Sequence, residues 1–240
     1  MTHGTHVGFP GGTALTRIDV YDWPAKDGAA GGTPHLHTAS TEAYLVIGGR
    51  GRVETLRLSG YEEHELEPGD LLWFSPGTIH RLVNLHELQL LVVMTNAGLP
   101  EAGDAVMTFA ASDVADPARY AKAAALDPAD PEGSAQRRRD AALAEYGVLK
   151  AAARKGDFGP LREFQAGAAR LVAPRVPHWK ELWEQTVLAD AERTRGWLDG
   201  LAEGGVEHFA NAAVVRAEPR AARGRGMCGL LQTWSDGRQG

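Results

Sequence analysis

The sequence predicts a mainly β protein with an α-helical extension, and three observations carry that prediction. From Thr13 to about Phe109, short runs of β-branched, aromatic and aliphatic residues alternate with turns built on Gly, Pro and Asp. After Phe109, alanine, arginine, glutamate and leucine take over. From Val214 onward the strand vocabulary returns. Short strands at regular spacing, without a βαβ alternation, indicate an antiparallel barrel or sandwich. The reading divides the chain into 1–112 as a β-barrel, 113–205 as a helical extension, and 206–240 as strands that pack back on the barrel.

Along the first part, "TALTRIDVYDW" and "AYLVIGG" are rich in strand formers, "GRVETLRLSG" alternates, and "DLLWFSPG" and "ELQLLVVMTN" are short apolar runs. "DPADPEG" is a turn-rich linker. Beyond it Ala142, Tyr146, Leu149 and Ala153 recur at three- and four-residue steps and mark one face of a helix, with Ser134 as N-cap and Gly156 as its stop. Within that helix Arg137, Arg138 and Arg139 are read as a solvated face. A second helix covers Pro160 to Val172, and Pro174 and Pro177 then break the chain. A third helix runs through "HWKELWEQTVLADAERTRGWLDGLAEGG", whose tryptophans are expected to pack on the barrel or on a partner subunit. "GMCGLLQTWSDG" echoes "GGTALTRIDVYDW", so the last strand is expected to return to the barrel; the alternative is a separate helical domain.

The bulk composition narrows the function classes. With 240 residues and a formal charge of -6, the chain is mildly acidic, whereas phosphate backbones need clustered cations, and Arg137 to Arg139 is its one basic cluster, so no nucleic-acid partner is expected. A single cysteine, Cys228, rules out an intrachain disulfide and is read as a small packed residue. The start "MTHGTHVGFPGG" lacks the basic-then-apolar order of a leader, and no apolar run reaches the roughly 20 residues of a membrane helix. The expectation is a soluble, cytoplasmic protein.

Chemistry concentrates in two segments. In "TPHLHTASTEAYLV" a strand places His35 and His37 on one face, and a turn through Thr38 to Thr41 delivers Glu42 to the next strand, ahead of Tyr44 and Val46. In "GDLLWFSPGTIHRLVN", His80 follows a Pro-Gly turn. The paired histidines alone carry little weight. Three imidazoles and a carboxylate together make a cage that suits a divalent first-row metal and leaves positions for substrate or water.

These segments resemble the two motifs of the cupin superfamily. His35, His37, Glu42 and Gly49 match the first motif in residue and spacing, and Gly69, Gly77, His80 and Asn84 match the second. The leading glycine of the first motif falls on Ala29, and the proline of the second falls on Ser75, with Pro76 one place late. Both departures lie in turns. The resemblance covers about residues 13 to 110 and implies a jelly-roll β-barrel with a metal at one end. It carries over His35, His37, Glu42 and His80 as the metal ligands and leaves Asn84 as a turn-closing residue. The helical remainder resembles the C-terminal extension of a group of single-domain metal-binding cupins.

What the resemblance implies about activity is a metal-dependent enzyme acting on a small, oxygen-rich molecule. Dioxygenase-type chemistry is favoured slightly over isomerase or epimerase chemistry, with Fe, Mn, Ni or Zn as the ion. Tyr44 and Glu42 are the candidates for handling a proton. The alternative is a small-molecule-binding or sensory cupin without turnover. Trp73 or its neighbours are expected to contribute to the pocket wall, and a Gly-rich loop with Asn96, Glu101 and Asp104 to close over the mouth. His3, His6, His64 and His86 are expected to be exposed and inert. A homodimer is expected, since barrels protect edge strands by pairing and the tryptophan-bearing helix offers apolar surface.

Overall fold

The structure is a computed structural model that describes residues 9–235; His3 and His6 lie outside the described residues. The strand-rich part folds into β1 (Ala14–Val20), β2 (His35–His37), β3 (Glu42–Arg57), β4 (Gly60–Leu66), β5 (Leu71–Phe74), β6 (Ile79–Met94) and β7 (Ala105–Met107). "AYLVIGG" and "GRVETLR" are one 16-residue strand, not two. The register between β3 and β6 slips three times between Val46 and Gly51, so both long strands bend there without ending. Gly49 is at the centre of this bend with φ +71°, and a Cβ at that position would overlap the carbonyl oxygens of His86 and Glu87.

The sheet runs β4-β3-β6-β1-β10-β9, with β10 at Gly229–Gln232 and β9 at Gly224–Arg225. β5 pairs with β3, and β2 lies between β6 and β7. The C-terminal strand returns as expected: β10 runs antiparallel to β1, from Arg17 opposite Gln232 to Val20 opposite Gly229. β8 (Glu218–Pro219) and β11 (Trp234–Ser235) form a separate small ribbon.

The helices begin earlier than the linker implied. α1 (Ala111–Val114) and α2 (Pro117–Ala124) precede "DPADPEG", and Asp116 caps α2 by accepting from the amides of Ala118 and Arg119. α3 spans Pro131–Ala153, because Asp130 rather than Ser134 is its N-cap, accepting from the Gly133 amide. α4 spans Gly159–Val172. α5 (Val176–Trp183) and α6 (Ala189–Ala202) continue through a π-helical turn at Glu184–Leu188. Pro177 does not break this run, since it lies in the first turn of α5 where no amide hydrogen is needed. No helix among the described residues is long and apolar enough to cross a membrane.

Strand alternation creates two apolar layers. Ile18, Val20, Tyr44, Val53, Leu82, Leu90 and Val92 fill the barrel. Leu36, Leu56, Ile79 and Phe109 leave its outer face and meet Tyr146, Leu149, Leu161 and Leu171 of the helices. At about 25 cal/mol per Å² of apolar surface, this second layer makes the helices part of one fold with the barrel.

The arginine run departs from its reading as a solvated face. Arg137 is exposed and pairs with Asp130, but Arg139 is only 2% exposed. The Arg139 guanidinium donates to the carbonyl oxygens of Trp23 (2.8 Å), Pro24 (2.9 Å) and Gly31 (3.4 Å). Arg138 is also buried and donates to the Gly226 carbonyl at 2.6 Å. The loop before β2 has carbonyls that no strand satisfies, and a buried guanidinium with five donors meets that need. Among the tryptophans, Trp179 is buried with its indole N–H donating to the Ala102 carbonyl, whereas Trp183 and Trp197 are exposed.

Candidate metal centre

β2 lies between β6 and β7, and this brings the two motif segments together. His35 stands directly opposite His80 across the β2–β6 pairing. The approach to β2 depends on Gly31, at φ +144°, where a Cβ would overlap the Leu82 carbonyl oxygen. The turn before His80 closes despite Ser75 in the proline position. Thr78 N–H donates to Ser75 O at 3.3 Å, and Gly77 N–H, at φ +84°, donates to His37 O at 2.8 Å.

The four predicted ligands converge. One donor atom from each of His35, His37, Glu42 and His80 falls within 4.8 Å of all the others, and all four residues are buried. His35 Nε2 and His80 Nε2 are 3.1 Å apart. Glu42 Oε2 is 3.2 Å from His37 Nε2 and 3.1 Å from His80 Nε2. Ligands each about 2.1 Å from a single ion and at right angles are about 3 Å apart, so these spacings fit one ion.

The opposite ring nitrogens are tied down. His35 Nδ1 donates to Thr33 O at 2.9 Å and His80 Nδ1 to Thr78 O at 3.2 Å. With Nδ1 carrying the proton, each Nε2 presents a lone pair to the centre, as a metal-ligating histidine must. Glu42 Oε2 has no aligned hydrogen-bond donor despite its close neighbours. Two facing lone pairs and an unsatisfied buried carboxylate oxygen are unstable without a cation among them, and the residues therefore fit a divalent ion.

The electrostatics of the protein groups alone set His35 and His37 apart. Burial, reinforced by His80 and His37, pushes His35 well below the usual histidine range, so it is neutral and free to ligate. Burial of Glu42 disfavours its charge, yet His80 and His37 hold its carboxyl well below the usual range. Burial likewise opposes a charge on His37, but Asp104 and Glu42 outweigh it and raise that imidazole to about 9.

Residues 25–95 match the family model for a cupin domain. This segment of the barrel is a cupin domain. Among solved structures, WlaRB, the TDP-quinovose 3,4-ketoisomerase of Campylobacter jejuni, is 18% identical, with a TM-score of 0.30 over 34% of this chain and 60% of that one. A predicted oxalate decarboxylase from Thermotoga maritima is 19% identical, with a TM-score of 0.26 over 35% of this chain and 64% of that one. Vicilin from tomato (Solanum lycopersicum) is 17% identical, with a TM-score of 0.32 over 40% of this chain and 25% of that one. The chain thus spans less than two thirds of each of these structures. A search of curated proteins returns no match.

Other predicted positions in the cupin domain sort less evenly. Asn84 closes a turn, donating to Val20 O and accepting from the Leu88 amide. Trp73 is exposed, and its neighbour Phe74 is the inward one, 4.3 Å from the His80 ring and 5.3 Å from Tyr44 between centroids. His86 is exposed as expected, but His64 is half-buried, 3.2 Å from Thr55 Oγ1. Tyr44 is fully buried with no hydrogen-bond partner for its hydroxyl among the described residues, and burial together with the Glu42 charge keeps that phenol protonated.

Asp104 corrects the loop expectation. It does not close over a mouth but is completely buried, with Oδ2 3.3 Å from His37 Nδ1. Its carboxylate also accepts from the amides of Thr38, Ala39 and Ser40 and from the Thr38 hydroxyl. These bonds lock the turn between His37 and Glu42 and orient the ring. Although burial disfavours its charge, His37, Thr38 and Ser40 hold Asp104 below the ordinary carboxylate range. Cys228 is also part of the surroundings: the C-terminal return brings its buried thiol beside Tyr44 and against Gly32.

Proposed function

We propose that this cupin is a metal-dependent enzyme acting on a small, oxygen-rich molecule, with dioxygenase-type or isomerase/epimerase-type chemistry. The observation that supports it is the convergence of the His35 and His80 Nε2 atoms, each oriented by its Nδ1 bond, with the His37 imidazole and one otherwise unsatisfied Glu42 oxygen. His35, His37, Glu42 and His80 would hold a divalent ion, Fe, Mn, Ni or Zn, which would supply Lewis-acid or, if redox-active, oxygen-activating chemistry. The protein's own part is positional. Asp104 fixes His37, the Thr33 and Thr78 carbonyls fix the other two rings, and Phe74 and the barrel core exclude water. Tyr44 stays protonated and beside Glu42, so its hydroxyl is the group available to hand a proton to a bound substrate, and Glu42 is the available acceptor.

A second reading, a small-molecule-binding or sensory cupin without turnover, is favoured by the burial of all four ligands. One experiment separates them. Bound metal is quantified in the purified protein and after reconstitution. Oxygen uptake with catechol-, diketone- and flavonol-like chelators and isomerisation of keto-sugars are then measured. Stoichiometric metal with turnover supports the enzyme; stoichiometric metal with ligand-dependent thermal shifts and no turnover supports the binding module; metal far below stoichiometry removes the site. A homodimer is part of the same proposal, supported by the exposed Trp197, Leu198 and Leu201 of α6 and checked by sedimentation.

A further inference from the structure

A cavity lies outside the barrel. It is an open cleft of about 660 Å³ between β2, the loop at Leu99 and helices α4 and α5, within the range of small-molecule pockets. Leu36 is its floor, and Leu99, Ala168, Val172, Trp179 and Trp183 are among its walls. The metal ligands do not line it: Leu36 faces the opposite way from His35 and His37 on the same strand.

The polar groups that reach this cavity are mostly engaged. Thr38 Oγ1 donates to Asp104, the Gln165 amide nitrogen to Gly77 O at 3.0 Å, and the Trp179 indole to Ala102 O at 3.2 Å. Lys180 is the exception. It is the one charged residue of the lining, it is exposed at the rim, and it has no hydrogen-bond or ion-pair partner among the described residues. An apolar cleft with a single unpaired cation at its lip is complementary to a molecule with an apolar body and one anionic end.

We propose that this cleft is a binding site for a monocarboxylate with an apolar body, of the size of a medium-chain fatty acid or a two-ring aryl acid. The apolar body lies against Leu36, Val172 and the two indoles, and the carboxylate meets Lys180. The site is separate from the metal centre and does not depend on it.

The test is titration of the full chain with decanoate and 2-naphthoate, followed by calorimetry and tryptophan fluorescence, with decanol as the uncharged control. Saturable binding of the acids is expected. Lys180→Glu at the exposed rim weakens decanoate about tenfold and leaves decanol unchanged. Ala169→Phe, at an exposed lining position on α4, removes both, and neither variant alters metal content. Absence of saturable binding to the wild type at millimolar acid overturns the proposal, as does affinity unchanged in both variants. A wild-type dimer that Ala169→Phe converts to monomer, without acid binding, assigns the cleft to a second copy and also overturns it.

Discussion

Inside the barrel, the important groups are polar, few and aimed at one point; in the layer between barrel and helices they are apolar, numerous and spread over the surface. Strand β2 belongs to both, with His35 and His37 turned inward and Leu36 turned out. The difference teaches that the two layers answer to different kinds of damage. The inner one fails when a donor atom is lost or rotated, and the fold can tolerate that. The outer one fails when volume or a buried hydrogen bond is lost, and the metal ligands need not feel it.

The comparison breaks if a ligand substitution unfolds the protein or an outer substitution empties the metal site. The largest effect is expected for His80→Ala and Glu42→Gln, which should reduce bound metal from one equivalent to less than a tenth in an elemental assay while far-UV circular dichroism stays unchanged. Arg139→Met comes next. It leaves the Trp23, Pro24 and Gly31 carbonyls without their donor and should cost about 3 kcal/mol in urea unfolding, with metal stoichiometry retained in the folded fraction. Asp104→Asn sharpens the comparison, because it removes an orienting charge rather than a ligand. Metal affinity should fall about 10- to 100-fold by competition with a chelator, and a loss of stoichiometry at saturating metal would show that Asp104 is doing more than orienting. The smallest effect belongs to Arg137→Ala on the same helix, where no shift of the unfolding midpoint should be seen.

The four candidate ligands were legible because their information is local. A two-residue strand period, a short turn and a Pro-Gly turn are enough to place His35, His37, Glu42 and His80, and the structure brings all four together. Asp104 was not legible as a partner of His37, because no periodicity links it to β2; only the pairing of β7 with β2 carries it there. Arg138 and Arg139 are a different case. The buried face through Ala142, Tyr146 and Leu149 extends back to Ala135 and Arg138, so the helical period already turned these arginines toward the barrel. Their charge obscured it, since the carbonyls that receive Arg139 belong to a loop more than a hundred residues earlier and the Gly226 carbonyl that receives Arg138 lies 88 residues later. The outer cleft has no sequence signature at all, being assembled from a strand, a loop and two helices.

The pairing of β1 with β10 has a consequence for how the molecule is made. β1 is made some two hundred residues before one of its two neighbours, Gly229–Gln232. Through nearly the whole of synthesis that edge is open, and a chain stopped at the end of α6 would present it permanently to other chains. The late strand therefore completes the sheet: only a chain that includes Gly229–Gln232 covers this edge of β1.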